Sequence, residues 1–180
     1  MTTLGILISS ARPNRVGDNV AQWVRDNVPA GADLDLIDLR EVALPDFDET
    51  TSPKQGLPKE TAHGISWAKH IAALDALVIL TPQYNGSYTG SLKTAIDWLY
   101  TEWVDLPVVL VGYGWGDAGE VLLLLETLMG RVGADVIGTV GLGFREDLSV
   151  EGELLIAEGK TSTLREQLQA ATTKVPAEIA

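Results

Sequence analysis

Cysteine is absent from this sequence of 180 residues, and no long apolar segment occurs in it. Without cysteine the chain can form no disulfide framework, no thiolate metal site and no cysteine nucleophile. The first apolar run, residues 4–9, is too short to span a membrane and follows no basic region of the kind that begins a signal peptide. Because cysteine is absent, redox chemistry would need a cofactor. Because the first apolar run is short and follows no basic region, we expect a cytoplasmic protein.

Basic residues are scarce as well, since 13 Lys and Arg stand against 25 Asp and Glu for a formal net charge of −12. Such a surface repels the phosphate backbone of nucleic acids and the head groups of anionic lipids. We therefore expect neither a nucleic acid nor a membrane as partner. The apolar content of 46% is enough to fill one core, and the length predicts a single domain over residues 1–180.

Metal-binding and hydrolase signatures are also missing. His63 and His70 lie seven residues apart on a predicted helix, but no third ligand accompanies them, so we expect no metal site. The G-x-S-x-G pattern of a serine nucleophile does not occur, which argues against a serine hydrolase.

Apolar periodicity predicts a regular alternation of strands and helices. The predicted strands are residues 4–9, 33–39, 76–80, 106–111 and 135–142, and the predicted helices are residues 16–28, 59–74, 91–103, 118–132 and 161–173. Strands joined by helices form a parallel sheet that is covered on both faces. The alternation of polar and apolar residues in residues 33–39 predicts an edge strand with one exposed face. Sheets of this type bind ligands at the carboxyl ends of their strands, where the strand order reverses.

The loop after the first strand reads S-S-A-R-P-N-R-V-G and leads into a helix. Its hydroxyls, its backbone N–H groups and the guanidinium groups of Arg12 and Arg15 could all bind one anion. Neither the G-x-G-x-x-G pattern nor the G-x-x-x-x-G-K-[ST] pattern occurs in this loop, so a phosphate monoester is the expected ligand. The alternative is that both arginines are solvated surface residues.

The loop after the third strand contains Pro82, Asn85 and Gly86, residues that allow a tight turn with exposed backbone N–H groups. Such a turn could border a flat ring, and Tyr84 could lie against that ring. The alternative is an ordinary connection between a strand and a helix.

Both loops carry a family resemblance. The segment TPQYNGSYTGSLKTAIDWLY resembles the P-E-Y-N-G-S-x-x-G-x-L-K-N-A-I-D-W segment of the NAD(P)H-dependent FMN reductase family, and SSARPNRVG resembles its phosphate-binding G-S-x-R-x-x-R segment. The resemblance implies a flavodoxin-like three-layer sandwich with a five-stranded parallel sheet of order 2-1-3-4-5. It also implies FMN as cofactor, NAD(P)H as electron donor, and a homodimer or homotetramer.

The resemblance further implies which residues hold the cofactor. Those around the phosphate are Ser9, Ser10, Arg12, Asn14, Arg15 and Val16, and those at the ring are Pro82, Gln83, Tyr84, Asn85 and Gly86. The position of the loop after the fourth strand adds Gly112, Gly114 and Trp115 as candidates on the other side of the ring. Gln83 stands where the family usually has Glu, which removes a charge near the ring.

The loop after the fourth strand, GYGWGDAGE, also departs from the family, which usually has a Ser and paired glycines here. Its glycines suit a close approach of backbone to ligand. Trp115, Asp117 and Glu120 are the departures, at a position that should shape substrate access. Trp115 either covers the ring or packs beneath the neighbouring loop.

Two helices carry apolar residues outside their core-facing stripes. Trp98 lies outside the stripe of its helix and is predicted to face a partner. Leu122, Leu123 and Leu124 make the next helix apolar nearly all round, which predicts burial between subunits or a cover from the acidic segment after Phe144.

The resemblance therefore implies an oxidoreductase that passes electrons by a ping-pong hydride mechanism to a small acceptor: a flavin, a quinone, an azo compound or a metal oxyanion. We expect no catalytic side chain, because the flavin carries the chemistry. Two alternatives stay open: a flavodoxin-like electron carrier, and a binding or regulatory module without cofactor.

Overall fold

The computed structural model describes residues 2–174 of the chain. Strands and helices alternate along it in the order β1 (Thr3–Ile8), α1 (Gly17–Asp26), β2 (Asp33–Asp38), α2 (Leu39–Val42), α3 (Ala62–Ala72), β3 (Ala76–Pro82), α4 (Gly90–Asp97), β4 (Pro107–Gly114), α5 (Gly119–Arg131), β5 (Asp135–Gly143) and α6 (Glu158–Thr173). Short 3₁₀ turns form at Pro53–Gln55 and Trp115–Ala118.

The five strands form one parallel sheet in the order β2-β1-β3-β4-β5. This is the strand order of a flavodoxin-like fold, so the predicted fold class is confirmed. β2 lies at an edge, as its alternating sequence predicts. Ile8 pairs with Leu80, and Pro82 pairs with Tyr113, so the carboxyl ends of β1, β3 and β4 meet at one side of the molecule.

Two apolar cores fill the two sides of the sheet. Leu77 and Ile79 of β3 pack with α3, α4 and α5, whereas Val78 and Leu80 pack on the other side with α1 and α6. Residues of β3 and β4 are buried throughout, which explains why both strands read as unbroken apolar runs.

Helix α4 ends at Asp97, six residues before its predicted end, and turns occupy residues 98–105. The prediction that Trp98 faces a partner is wrong, because its side chain is fully buried. Its indole donates a hydrogen bond to the carbonyl of Pro45 at 2.9 Å, and the rings of Phe47 and His63 pack edge-on against it. The loop after α2 therefore folds over α4 and covers this tryptophan.

Strands β3 and β4 run to Pro82 and Gly114, beyond their predicted ends at residues 80 and 111. Ladder pairing continues through Thr81 and Gly112, which keeps both segments extended. The connection after β4 consequently begins at Trp115.

On the outer face of α5, Leu123 and Leu124 stay exposed within residues 2–174, whereas Leu122 is buried in the core. The side chains of Leu123 and Leu124 are 66% and 47% exposed. A cover from the acidic segment is excluded, because Leu148 and Leu154 of that segment pack with α1 and α6 on the opposite side of the sheet. None of the helices in residues 2–174 combines the length and apolarity that a membrane crossing needs.

Candidate functional site

A cavity of about 270 Å³ lies at the carboxyl edge of the sheet, beside the ends of β1, β3 and β4. Four segments line it, with Ser10, Arg12, Asn14, Arg15 and Val16 from the first, Pro82, Gln83 and Tyr84 from the second, Tyr113 and Trp115 from the third, and Phe144 and Val150 from the last. A larger groove of about 440 Å³ is lined by α3 and residues 56–59 and 101–102 instead of strand ends. The smaller cavity is the candidate site, because ligands of this fold bind where strand order reverses.

Three hydroxyl groups, those of Ser10, Tyr84 and Tyr113, belong to the lining of this cavity, and Ser9 is buried next to Ser10 in the chain. The hydroxyls of Ser10 and Tyr84 are hydrogen-bonded at 2.9 Å. The hydroxyls of Ser9 and Tyr113 are buried and have no hydrogen-bond partner in the part of the chain that the structure describes. A buried hydroxyl without a partner costs about 1 to 3 kcal/mol. Burial raises the pKa of Tyr113, so its hydroxyl stays protonated at neutral pH and can donate.

Arg15 lines the cavity, but its guanidinium is already engaged within the chain. Its side chain is 3% exposed, and it donates to the carboxylates of Asp18 and Asp38 and to the carbonyl of Ser10 over distances of 2.6 to 2.9 Å. These five bonds use all five N–H groups of an arginine. Arg15 therefore fixes the loop after β1 against β2 and α1.

The ion pair of Arg15 and Asp38 shifts the titration of both groups. The hydrogen bond from Arg15 holds the pKa of the Asp38 carboxyl well below its usual range, with further help from Arg40. Burial opposes the charge on Arg15, but the bonds to Asp38 and Asp18 outweigh burial and raise its pKa. The positive charge of Arg15 is thus balanced by two carboxylates.

Arg12 differs from Arg15 in its surroundings. Its side chain is exposed at the mouth of the cavity, and no described carboxylate lies within ion-pair distance of it. Both arginines line the same cavity, but only Arg12 keeps donors free for an anion.

The loop after β3 forms a tight turn. Tyr84 and Ser87 exchange backbone hydrogen bonds of 2.8 and 3.0 Å, and both central residues, Asn85 and Gly86, have positive φ, as a type I′ turn requires. A side chain at Gly86 would also meet the Glu120 carboxylate at 2.7 Å. Asn85 and Gly86 shape this turn and are not part of the cavity lining.

The glycines at the end of β4 face protein rather than the cavity. A Cβ at Gly112 would lie 2.8 Å from Leu122 of α5, and one at Gly114 would lie 2.9 Å from the Cβ of Gln83. These glycines let α5 and the loop after β3 pack directly on the strand.

The turn after β4 has an unusual backbone. Gly116, Asp117 and Ala118 have φ of 60°, 55° and 55°, and such values cost about 1 to 3 kcal/mol for a residue with a side chain. Lys160 of α6 bridges Asp117 and the buried Asp147, at 3.3 and 2.6 Å, and holds the turn against β5. Burial opposes the charge on Lys160, yet these carboxylates raise its pKa.

Trp115 begins this turn and is 54% exposed. Its ring packs edge-on against Phe144 at 5.5 Å between centroids, and the Arg145 guanidinium lies 5.1 Å from the ring centre. The same ring lines the cavity, so Trp115 forms part of its wall and also packs on the neighbouring segment. Its contact with a bound ring stays a prediction.

Sequence reasoning missed three residues of the lining: Tyr113, Phe144 and Val150. Phe144 directly follows a strand, so the rule that ligands lie beyond strand ends could have found it. Val150 lies in an irregular acidic segment whose sequence carries no such signal.

The two histidines lie outside this cavity and form local pairs. His70 approaches Asp35 at 2.6 Å, and His63 approaches Asp48 at 3.4 Å. Within residues 2–174, no three potential ligand side chains meet in a geometry that could hold a metal ion.

The fold and site together define the class of protein. A flavodoxin-like sheet carries buried hydroxyls, an unpaired arginine and an aromatic wall at its ligand-binding edge, a donor set that fits the phosphate and flat ring of a flavin mononucleotide. Residues 1–147 match the NADPH-dependent FMN reductase family, and the chain belongs to that family.

Individual relatives agree with this assignment. The chain is 32% identical to an NAD(P)H-dependent FMN reductase of Schizosaccharomyces pombe over 151 residues, which cover 82% of this chain and 76% of that protein. It is 30% identical to the quinone reductase of Escherichia coli over 128 residues, or 71% of this chain and 60% of that protein. The fold of the flavoenzyme NAD(P)H:acceptor oxidoreductase FerB from Paracoccus denitrificans is similar, with a TM-score of 0.69, 20% identity and 96% of each chain covered. The chain is thus an oxidoreductase with FMN as cofactor and NAD(P)H as electron donor.

Proposed function

We propose that the chain passes electrons from NAD(P)H to a small acceptor in a ping-pong cycle, with quinones as the first acceptor class to test. FMN supplies the hydride chemistry when bound. The residues of the chain bind and orient the reactants and exclude water from them, and no side chain acts as acid or base. The observation that carries the proposal is the cavity where three strand ends bring the unpaired hydroxyl of Tyr113 and the guanidinium of Arg12 together.

The residues of the loop after β1 bind the phosphate in this proposal. Ser10, Arg12 and Asn14 of the cavity lining supply hydroxyl, guanidinium and amide donors beside the start of α1, where backbone N–H groups also favour an anion. The buried Ser9 hydroxyl is a further candidate donor, although Ser9 is not part of the lining. Arg15 supports them by fixing the loop, since its own donors are occupied. Val16 supplies an apolar contact at the same end of the cavity.

The residues after β3 and β4 border the ring in this proposal. Pro82, Gln83 and Tyr84 form one side and Trp115 the other, and Gly112 and Gly114 allow these segments to pack closely. Asn85 and Gly86 hold Tyr84 in place through the turn. The backbone N–H groups of Gln83 and Tyr84 are engaged within the fold, so the turn after β4 would supply any backbone donor to negative charge on a bound ring.

A quinone is the favoured acceptor class because a relative that covers 71% of this chain is a quinone reductase. A flavin, an azo compound and a metal oxyanion are the other candidates. The choice between NADH and NADPH is part of the same experiment.

The test reconstitutes the protein with FMN, removes free flavin and adds NADPH or NADH without oxygen. We expect retained flavin absorbance that bleaches with one nicotinamide and returns when benzoquinone is added. Parallel lines in double-reciprocal plots, with both substrates varied, would support the ping-pong cycle, and intersecting lines would contradict it. Retained flavin that neither nicotinamide bleaches would favour the electron carrier, and a failure to retain FMN would favour the binding module.

We also propose a homodimer, or a homotetramer built from dimers, that buries the exposed face of α5. Leu123 and Leu124 on this face are exposed, and the acidic segment packs on the other side of the sheet. Sedimentation velocity should show a dimer for the parent and a monomer when both leucines are replaced by Glu. A monomeric parent would contradict this proposal.

The cytoplasmic location and the single domain over residues 1–180 stay predictions.

A further inference from the structure

Gln83 follows β3, and its side chain contacts two other segments. Its Nε2 donates to the backbone carbonyl of Trp115 at 3.3 Å, and its Oε1 accepts from the backbone N–H of Val121 at 3.2 Å. A single amide therefore connects the end of β3 with the turn after β4 and with the first turn of α5.

Both segments need this support. The first N–H groups of a helix lack partners within the helix, and Ala118 at the N-cap of α5 has no side-chain oxygen to offer. Gln83 provides an acceptor from outside the helix. The turn at Gly116 and Asp117 has left-handed backbone values, and such a conformation persists only where neighbouring groups hold it.

We propose that Gln83 is a positioning residue whose amide fixes the Trp115 wall of the cofactor cavity. The amide is needed because the two contacts have opposite demands: the Val121 N–H requires an acceptor and the Trp115 carbonyl requires a donor. Where the family pattern has Glu, an ionised carboxylate could meet only the first demand. The role in cofactor binding rests on the proposed function, but the contacts themselves do not.

A carboxylate at this position would have two opposing effects. It would bind the Val121 N–H more strongly, because a helix N-terminus favours negative charge. It would also direct a charged oxygen at the Trp115 carbonyl oxygen, from which the amide now lies 3.3 Å away. Only a protonated carboxyl reproduces the donor, so the effect of Gln83→Glu should depend on pH.

Other ionisable groups face this region and must be separated from that effect. Glu120 of α5 lies against Gly86, and Asp117 of the turn pairs with Lys160. The guanidinium of Arg145 lies over the Trp115 ring. Tyr84 is the next residue in the sequence.

The experiment compares Gln83→Glu and Gln83→Met in a Glu120→Gln background, with that background as the parent at every pH. FMN affinity is measured by quenching of flavin fluorescence between pH 4 and pH 8. Near-ultraviolet circular dichroism of the FMN-free proteins reports the packing environment of the Trp115 side chain. At pH 8 we expect Gln83→Glu to bind FMN about three- to ten-fold more weakly than the parent, the effect of one hydrogen bond. The loss of FMN affinity in Gln83→Glu relative to the parent should become smaller as the pH falls, whereas the loss in Gln83→Met should be the same at every pH.

The outcomes separate this role from simple packing. Glu and Gln have nearly the same shape, so a packing role predicts equal affinity and identical spectra at pH 8, and that result would overturn the proposal. Tighter binding by Gln83→Glu would also overturn it. If the parent itself retains no FMN, the proposed function fails, and the spectra of the FMN-free proteins alone decide whether Gln83 positions the turn.

Discussion

Arg15→Ala and Arg12→Ala, made as two single variants, should distinguish a residue that fixes the loop after β1 from one that binds the FMN phosphate. Arg15→Ala leaves the Asp38 carboxyl, whose side chain is only 10% exposed, with Arg40 as its remaining cation. Loss of one partner from a buried ion pair lowers the free energy of unfolding by about 3 to 5 kcal/mol. Because Arg40 still donates to Asp38, we expect a loss near the lower value, about 3 kcal/mol. At about 2 to 4 °C for each kcal/mol in a chain of this size, we expect the melting temperature to fall by about 6 to 12 °C.

Arg12→Ala is the matched control, because the exposed Arg12 side chain has no described carboxylate partner. Its effect on the free energy of unfolding should stay within about 0.5 kcal/mol. Its effect on FMN should be large, since one hydrogen bond to a charged group contributes about 1.5 to 3 kcal/mol, or about ten- to a hundred-fold in affinity.

The assay for this pair is thermal unfolding of the FMN-free proteins by circular dichroism, followed by FMN titration well below each melting temperature. The reasoning is refuted if Arg15→Ala melts like the parent and loses FMN affinity as strongly as Arg12→Ala. In that case Arg15 would bind the phosphate directly, and its bonds to Asp18 and Asp38 would contribute nothing measurable to stability.

Three further changes test individual contacts. Tyr113→Phe removes a buried hydroxyl without a partner, so the FMN-free protein should melt at the same temperature or higher while its FMN affinity, measured by titration, falls several-fold. Arg15 depresses the pKa of Asp38, so the pair stabilises the fold fully above the ordinary pKa of Asp, about 3.9. This stabilisation is lost as the pH falls through the lowered pKa. Asp38→Asn should therefore make the free energy of unfolding depend less on pH in the acid range. Lys160→Met removes the hydrogen bonds from Lys160 to Asp117 and Asp147 that hold the turn after β4. It should raise the KM for the acceptor, measured by steady-state kinetics, more than it changes the rate of flavin reduction, measured by stopped flow.

Much of the fold could be predicted because its signals are local. The buried strands β3 and β4 read as continuous apolar runs, and the edge strand β2 alternates polar and apolar residues. Helical connections between such strands leave few topologies, and the order β2-β1-β3-β4-β5 is one of them. The loops at the strand ends could be located for the same reason.

The parts that could not be predicted depend on contacts between distant residues. Trp98 lies off the apolar stripe of its own helix, and its burial depends on the Phe47 and His63 rings and on the carbonyl of Pro45, 53 residues earlier in the chain. Arg12 and Arg15 have the same charge in the same loop, but Asp38 engages only one of them. No pattern within a loop of nine residues distinguishes these two cases.

The charge of the protein leads to a last prediction, which concerns how fast FMN binds. The phosphate of FMN is anionic and approaches a chain of net charge −12, and Arg15 does not offset this repulsion, because Asp18 and Asp38 balance its charge. Salt screens repulsion over distances beyond about 10 Å at 0.1 M ionic strength, whereas it weakens buried hydrogen bonds much less. The association rate constant, measured by stopped-flow quenching of flavin fluorescence, should therefore rise with ionic strength. A rate constant that falls with salt would mean that Arg12 and Arg145 dominate the field at the mouth of the cavity, and the Arg12→Ala variant would then lose that dependence.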